Sequence, residues 1–137
     1  MKLKEKVQEI LNSHNLDVII PEEYKNVYEY KRAEPNIVKK EFEHETLNDI
    51  VLQNKYKKYI PKGWYGFDIG NLTPKIWFTV IDKILELLTD NDPNFEIHQI
   101  KMKFGGIKFY CESTIIEDLD NIELLIEDKL YDKKLKY

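Results

Sequence analysis

Apolar and polar residues alternate most regularly over residues 99–112, QIKMKFGGIKFYCE. Ile100, Met102 and Phe104 lie on one arm, and Ile107, Phe109 and Cys111 on the other. Side chains alternate along a strand, so these six apolar residues share one face. Gly105-Gly106 between them accepts the positive φ angles of a two-residue turn. The pattern predicts a β-hairpin over 95–112 with that glycine pair at its tip. In this register Ile100 faces Cys111, Met102 faces Phe109, Phe104 faces Ile107, and Lys103 stands opposite Lys108. The other face carries Gln99, Lys101, Lys103, Lys108, Tyr110 and Glu112.

Helical periodicity predicts four further elements. Leu3, Val7, Ile10 and Leu11 make a stripe over about 2–13. Val38, Phe42, Leu47, Ile50 and Val51 do the same over about 38–53. The clearest helix covers about 74–89. Thr73 is a good N-cap, Pro74 suits the first helical position, and Ile76, Trp77, Val80, Ile81, Ile84, Leu85 and Leu88 form a broad apolar face. Ile115, Leu119, Ile122, Ile126 and Leu130 define a last helix over about 114–131, opened by a Thr114–Glu117 capping box. Short strands are expected at 16–20 and near 27–32. Residues 54–70, with five aromatics, read as a structured loop packed on the core.

The apolar face of the hairpin needs a cover, and the helices flanking it in sequence supply one. The expected fold is α+β in two layers, a small antiparallel sheet covered on one face by helices. No repeat or linker divides residues 1–137, so a single domain is expected. The charged fraction is 34% and the net charge −4, which excludes a generally basic nucleic-acid binder and makes direct nucleic-acid binding a disfavoured reading. One cysteine cannot form an internal disulfide, and the first residues lack a signal-peptide pattern. No apolar run reaches membrane-spanning length. A cytoplasmic protein with no membrane contact is expected. A homodimer is compatible with the helix faces.

The tract QIKMKFGGIKFY at 99–110, with Gly63-Trp64 before it, resembles an uncharacterised family of small phage and bacterial proteins. Its pattern is QVKEKFGGLRFY. Gln99, Lys101, Lys103, Phe104, Gly105, Gly106, Phe109 and Tyr110 match it identically, whereas Met102 replaces a Glu. The resemblance covers the C-terminal half and implies a phage or mobile-element setting. It implies no activity.

Two surfaces are candidate sites. On the last helix Asp120, Glu123, Glu127 and Asp128 form an acidic face, too far from the N-terminus to gain from the helix dipole. It reads either as solvated surface or as a contact for a basic partner. Lys101, Lys103, Lys108 and Tyr110, with Trp64 from the aromatic loop, would hold an anion or nucleotide, or are simply solvated. Gly105-Gly106 between lysines lacks the strand-to-helix context of a phosphate loop. Asp90, Asp92 and Asn94 have calcium-loop spacing but lack the later glycine and glutamate, so a turn is expected. The three histidines are widely separated, and neither a metal nor a cofactor is expected. Cys111 reads as a small core residue. No catalytic constellation stands out, which favours a binder over an enzyme. The leading expectation is a non-enzymatic inhibitor that binds a basic, nucleic-acid-handling protein, such as an anti-CRISPR-like antagonist of host defence. An immunity protein against a toxin and a nucleotide-sequestering module are the alternatives.

Overall fold

The computed structural model describes residues 2–16, 47–70, 73, 75–103 and 106–132. Most of the expected strand 16–20, the strand near 27–32, the first part of the 38–53 helix and the basic tail lie outside them.

Helix α1 spans Leu3–Asn12 and buries Val7 and Leu11, with Leu3 and Ile10 packed at the margin of the core. Helix α2 spans Asp49–Lys55. Its start is set by Asn48, whose side chain accepts the Val51 N–H at 3.0 Å, so among the described residues the expected 38–53 helix is a shorter one. Ile50, expected on its apolar side, is 73% exposed. Helix α3 spans Lys75–Asn91 and is buried on most of its circumference: Trp77, Phe78, Val80, Ile81, Ile84, Leu85 and Leu88 all lie in the core. Each large side chain removed from water there contributes about 1.5–3 kcal/mol relative to exposure. The Trp77 indole N–H donates to the Leu16 carbonyl at 3.2 Å.

The segment expected as loop at 54–70 contains the end of α2, a 3₁₀ turn at Lys57–Tyr59 and a short strand, β1, at Gly66–Asp68. Strands β2, Glu96–Lys103, and β3, Gly106–Glu112, complete a sheet of order β1-β2-β3. The β2–β3 hairpin is antiparallel, as expected, but β1 runs parallel to β2. The sheet is therefore mixed. The chain between β1 and β2 passes through α3, and a helical crossover returns the strand in the same direction.

The hairpin register differs from expectation by two residues. Ile100 pairs with Phe109, Met102 with Ile107, Lys101 with Lys108, and Lys103 with Gly106. The ladder thus closes with Gly106 inside the strand. A shift of two preserves the alternation, so Ile100, Met102, Ile107, Phe109 and Cys111 lie toward the core as expected, while Phe104 lies outside the described residues. A bulge lies between Ile97 and Gln99, with His98 as the extra residue. It allows Ile97 and Ile100, three positions apart, both to point into the core.

Helix α4 spans Leu119–Asp132 and buries Leu119, Ile122, Ile126 and Leu130, the expected stripe. It starts later than the Thr114–Glu117 capping box implied. The Ser113 hydroxyl accepts the N–H groups of Ile115 and Ile116 at 3.3 and 3.0 Å, which forms a turn first and leaves Ile115 58% exposed. The same hydroxyl donates to buried Asp92 at 2.5 Å, and Asp92 also accepts the Asn94 N–H at 2.8 Å. The Asp-x-Asp-x-Asn run is accordingly a turn that ties the start of β2 to the end of β3.

Helix α2 closes the β1 edge of the sheet. Gln53 accepts the Phe67 N–H at 2.9 Å, and Asp49 accepts those of Ile69 and Gly70 at 2.9 and 2.7 Å. Gly66, with φ of 72°, lies so close to the Gln53 carboxamide that a Cβ would fall on it. Burial pushes the Asp49 carboxyl up, against the lowering effect of its two backbone donors. Tyr56 then fastens α2 to α3: its hydroxyl donates to the Asp82 carboxylate at 2.6 Å, and Lys55 pairs with Asp82 and Glu86. Among the described residues no helix is long and apolar enough to cross a membrane.

Candidate functional site

Helix α4 lies along the outer edge of β3. Glu127 accepts the Phe109 N–H at 2.8 Å, and Glu123 accepts the Cys111 N–H at 3.2 Å. The spacing suits this contact. Four helical residues rise about 6 Å, and two strand residues advance roughly 6.8 Å. Residues i and i+4 of a helix therefore meet alternate N–H groups of an antiparallel neighbouring strand. Lys108 adds an ion pair to Glu127 at 3.5 Å.

This arrangement divides the expected acidic face. Glu123 and Glu127 turn toward the sheet and are half-buried, while Asp120 and Asp128 are exposed. The Glu123 carboxyl is pushed up to about 7, first by burial, then by the charges of Glu127, Asp120 and Glu112, against the lowering effect of the Cys111 N–H. Leu124, one turn from Asp120 and from Asp128, is 54% exposed between them. Among the described residues Asp120 and Asp128 form no ion pair, and this strip of α4 presents a solvent-facing leucine flanked by exposed carboxylates. Because α4 starts at Leu119, Asp120 falls in its first turn and, contrary to expectation, gains from the helix dipole.

The lysine set is divided as well. Lys101, and not Lys103, stands opposite Lys108, and Tyr110 stands opposite Gln99. The Lys101 ammonium sits over the Tyr110 ring, 5.8 Å from its centroid. Trp64 is stacked on the His98 imidazole at 4.2 Å with the planes 1° apart, and His98 lines one groove with Lys108 and Tyr110. Gly106 belongs to β3, and Gly105 lies outside the described residues, so the glycine pair offers no described anion cradle.

A groove of about 460 Å³ runs between α4 and β3. Lys108, Tyr110 and Glu112 form its strand wall, Asp120, Glu123, Leu124 and Glu127 its helix wall, and His98 its end. Members of both expected sites therefore meet in one place. The balance of charge is acidic: Glu112, Asp120 and Glu127 outnumber Lys108. Cys111 borders the groove from the core side. Burial and the charges of Glu123 and Glu127 push its thiol well up, so it is neither thiolate nor nucleophile at neutral pH. The groove offers carboxylate acceptors, a chemistry suited to guanidinium and ammonium donors.

Sequence reading missed a further group at the closed end. Glu96 and Glu112 are direct cross-strand partners, and His98 Nε2 lies 3.0 Å from the Glu96 carboxylate. The Glu-x-His spacing on one strand was the available signal. Without the bulge, the register gives Glu112 a different neighbour. Neither the protein-family models nor the curated proteins nor the solved structures compared with this chain give a match.

Proposed function

We propose that this chain is a non-enzymatic binding protein whose contact surface is the outer strip of α4 and the acidic groove behind it. Its partner is a protein with a basic segment. The observation that carries this reading is Leu124, exposed at the lip of the groove between Asp120 and Asp128. An apolar centre ringed by charges excludes water when covered, and a cationic side chain from the partner meets carboxylates in the groove. Glu123 and Glu127 support the surface from behind, since their oxygens are engaged by the backbone of β3. In the setting that the QIKMKFGGIKFY motif implies, the natural form of such a protein is an inhibitor of a nucleic-acid-handling host factor.

The test is capture from nuclease-treated lysate by the native chain and by a variant carrying Asp120→Lys, Leu124→Ala and Asp128→Lys. These side chains are exposed, so the fold is retained. A basic protein held by the native chain and lost at least about tenfold by the variant supports the reading. Equal capture by both overturns it. The nucleotide-sequestering alternative draws on the Lys101–Tyr110 contact. It requires a rise in melting temperature with nucleotide, and an anion there would face the carboxylates of the groove.

A further inference from the structure

The geometry points to a divalent transition-metal site, of the zinc class, formed by Glu96, His98 and Glu112. One ligand atom from each of the three lies within 4.8 Å of the others. Bonds of about 2.0–2.2 Å at tetrahedral angles place donors roughly 3.3 Å apart, a contraction that side-chain rotation supplies. His98 and Glu112 also line the α4 groove, but metal binding there requires no protein partner.

Three separate features of the fold assemble this group. The register sets Glu96 directly across from Glu112, and like charges in direct cross-strand opposition repel. Residues two apart on a strand share a face, so His98 lies on the side of Glu96 with its Nε2 3.0 Å from that carboxylate, and the bulge sets the register that puts Glu112 opposite Glu96. Trp64 then lies flat on the imidazole and fixes the plane of the ring. A side chain so restrained loses little freedom on ligation. A proton on His98 brings one positive charge to two carboxylates. A divalent ion brings two and leaves the imidazole neutral, as a ligand must be.

The donor set selects the ion. One imidazole nitrogen with two carboxylates suits zinc, nickel or cobalt, whereas calcium and magnesium take oxygen ligands throughout. The site is reachable: Glu112 lines the α4 groove, and Glu96 and Glu112 line a second recess of about 290 Å³ on its other side. Three protein ligands leave a coordination position open to water or to a side chain of a partner. Asp120 nearby adds to the negative potential that draws a cation in.

Titration of the full chain with zinc, followed by calorimetry, and with cobalt, followed by visible absorption, tests the site. The readout that locates it is the imidazole nitrogen shift of His98 by NMR, with His14 and His44 as internal controls. The expected result is one equivalent of zinc per chain, a rise in melting temperature, and a shift at His98 alone. Glu112→Gln should weaken zinc binding at least about 100-fold, while its metal-free melting temperature equals or exceeds that of the native chain because the repulsion with Glu96 is gone. Millimolar magnesium should not compete. Zinc bound equally by Glu112→Gln, or without a shift at His98, overturns the proposal, as does absence of binding by the native chain.

Discussion

Glu123 accepts a backbone hydrogen bond from Cys111 while standing close to three other carboxylates. A protonated carboxyl keeps one oxygen free to accept that bond, so the proton relieves the repulsion without removing the contact. With its carboxyl pushed from 4.5 up to about 7, the folded chain holds this proton more tightly than the unfolded chain. Stability contributed here is full below pH 4.5, falls as pH rises between 4.5 and about 7, and is lost above that. Glu123→Gln retains an acceptor and carries no charge. Thermal melts from pH 5 to 8, with chelator present, should show the native chain losing stability across this range and the variant losing less. At pH 8 the variant should be more stable by about 1 kcal/mol, a figure discounted for the solvent that screens a half-buried group. The sequence shows Glu123 and Glu127 only as acids one turn apart, which reads as mutual repulsion on a wet face. It does not show which strand lies beside them, and that neighbour decides whether the oxygens meet water or amides.

The hairpin was legible as an element and ambiguous in detail. Apolar residues occupy every second position on both arms, from Ile100 to Phe104 and from Ile107 to Cys111. Any shift by two therefore buries the same set, and periodicity alone cannot choose between registers. The glycine pair suggested one answer, and the ladder closing on Lys103 and Gly106 is another. The bulge was not legible, because Ile97 and Ile100 at a spacing of three contradict strand alternation and find their explanation only in the extra residue. Its role can be isolated. Deleting His98 brings Ile97 and Ile100, both fully buried, to a spacing of two, which a regular strand keeps on the core face. His98→Ala keeps the bulge and loses the stack on Trp64, at a cost of about 1 kcal/mol. Urea unfolding should therefore register similar losses for the two variants. A loss for the deletion several times that of His98→Ala would mean that the bulge itself, and not only the ring, holds the strand. Strand β1 was hidden for a different reason: three residues, opened by a glycine, are too few to show a period, and only its pairing with β2 identifies it.

Across the whole molecule, the α+β layering followed from sequence because α3 and α4 have apolar stripes of the length needed to cover a hairpin. The closure of the sheet did not, since it depends on polar side chains at helix positions that look like ordinary surface. Asp49 and Gln53 on α2, and Glu123 and Glu127 on α4, are both pairs one turn apart, and each pair faces the outer N–H groups of an edge strand. Exposed edges invite pairing with another chain, and covering them with a helix is one remedy. Replacing Asp49 and Gln53 together by Ala should uncover the N–H groups of Phe67, Ile69 and Gly70. Light scattering should then detect concentration-dependent association at temperatures where the native chain remains monodisperse. A scattering signal indistinguishable from native would show that these contacts do not guard the edge. With both edges closed, a partner meets side chains and not a free strand, in keeping with contact through α4.

The side-chain caps also give the rim of the sheet an unusual clock. Outer amides of an edge strand ordinarily trade their hydrogens with water freely, because nothing but solvent binds them. Here the amides of Phe109 and Cys111 are held by α4, and those of Phe67 and Ile69 by α2. Each exchanges only when its helix lifts away. The outermost amides of the sheet thus time the undocking of two different helices, and a partner that clamps α4 slows one set while leaving the other unchanged.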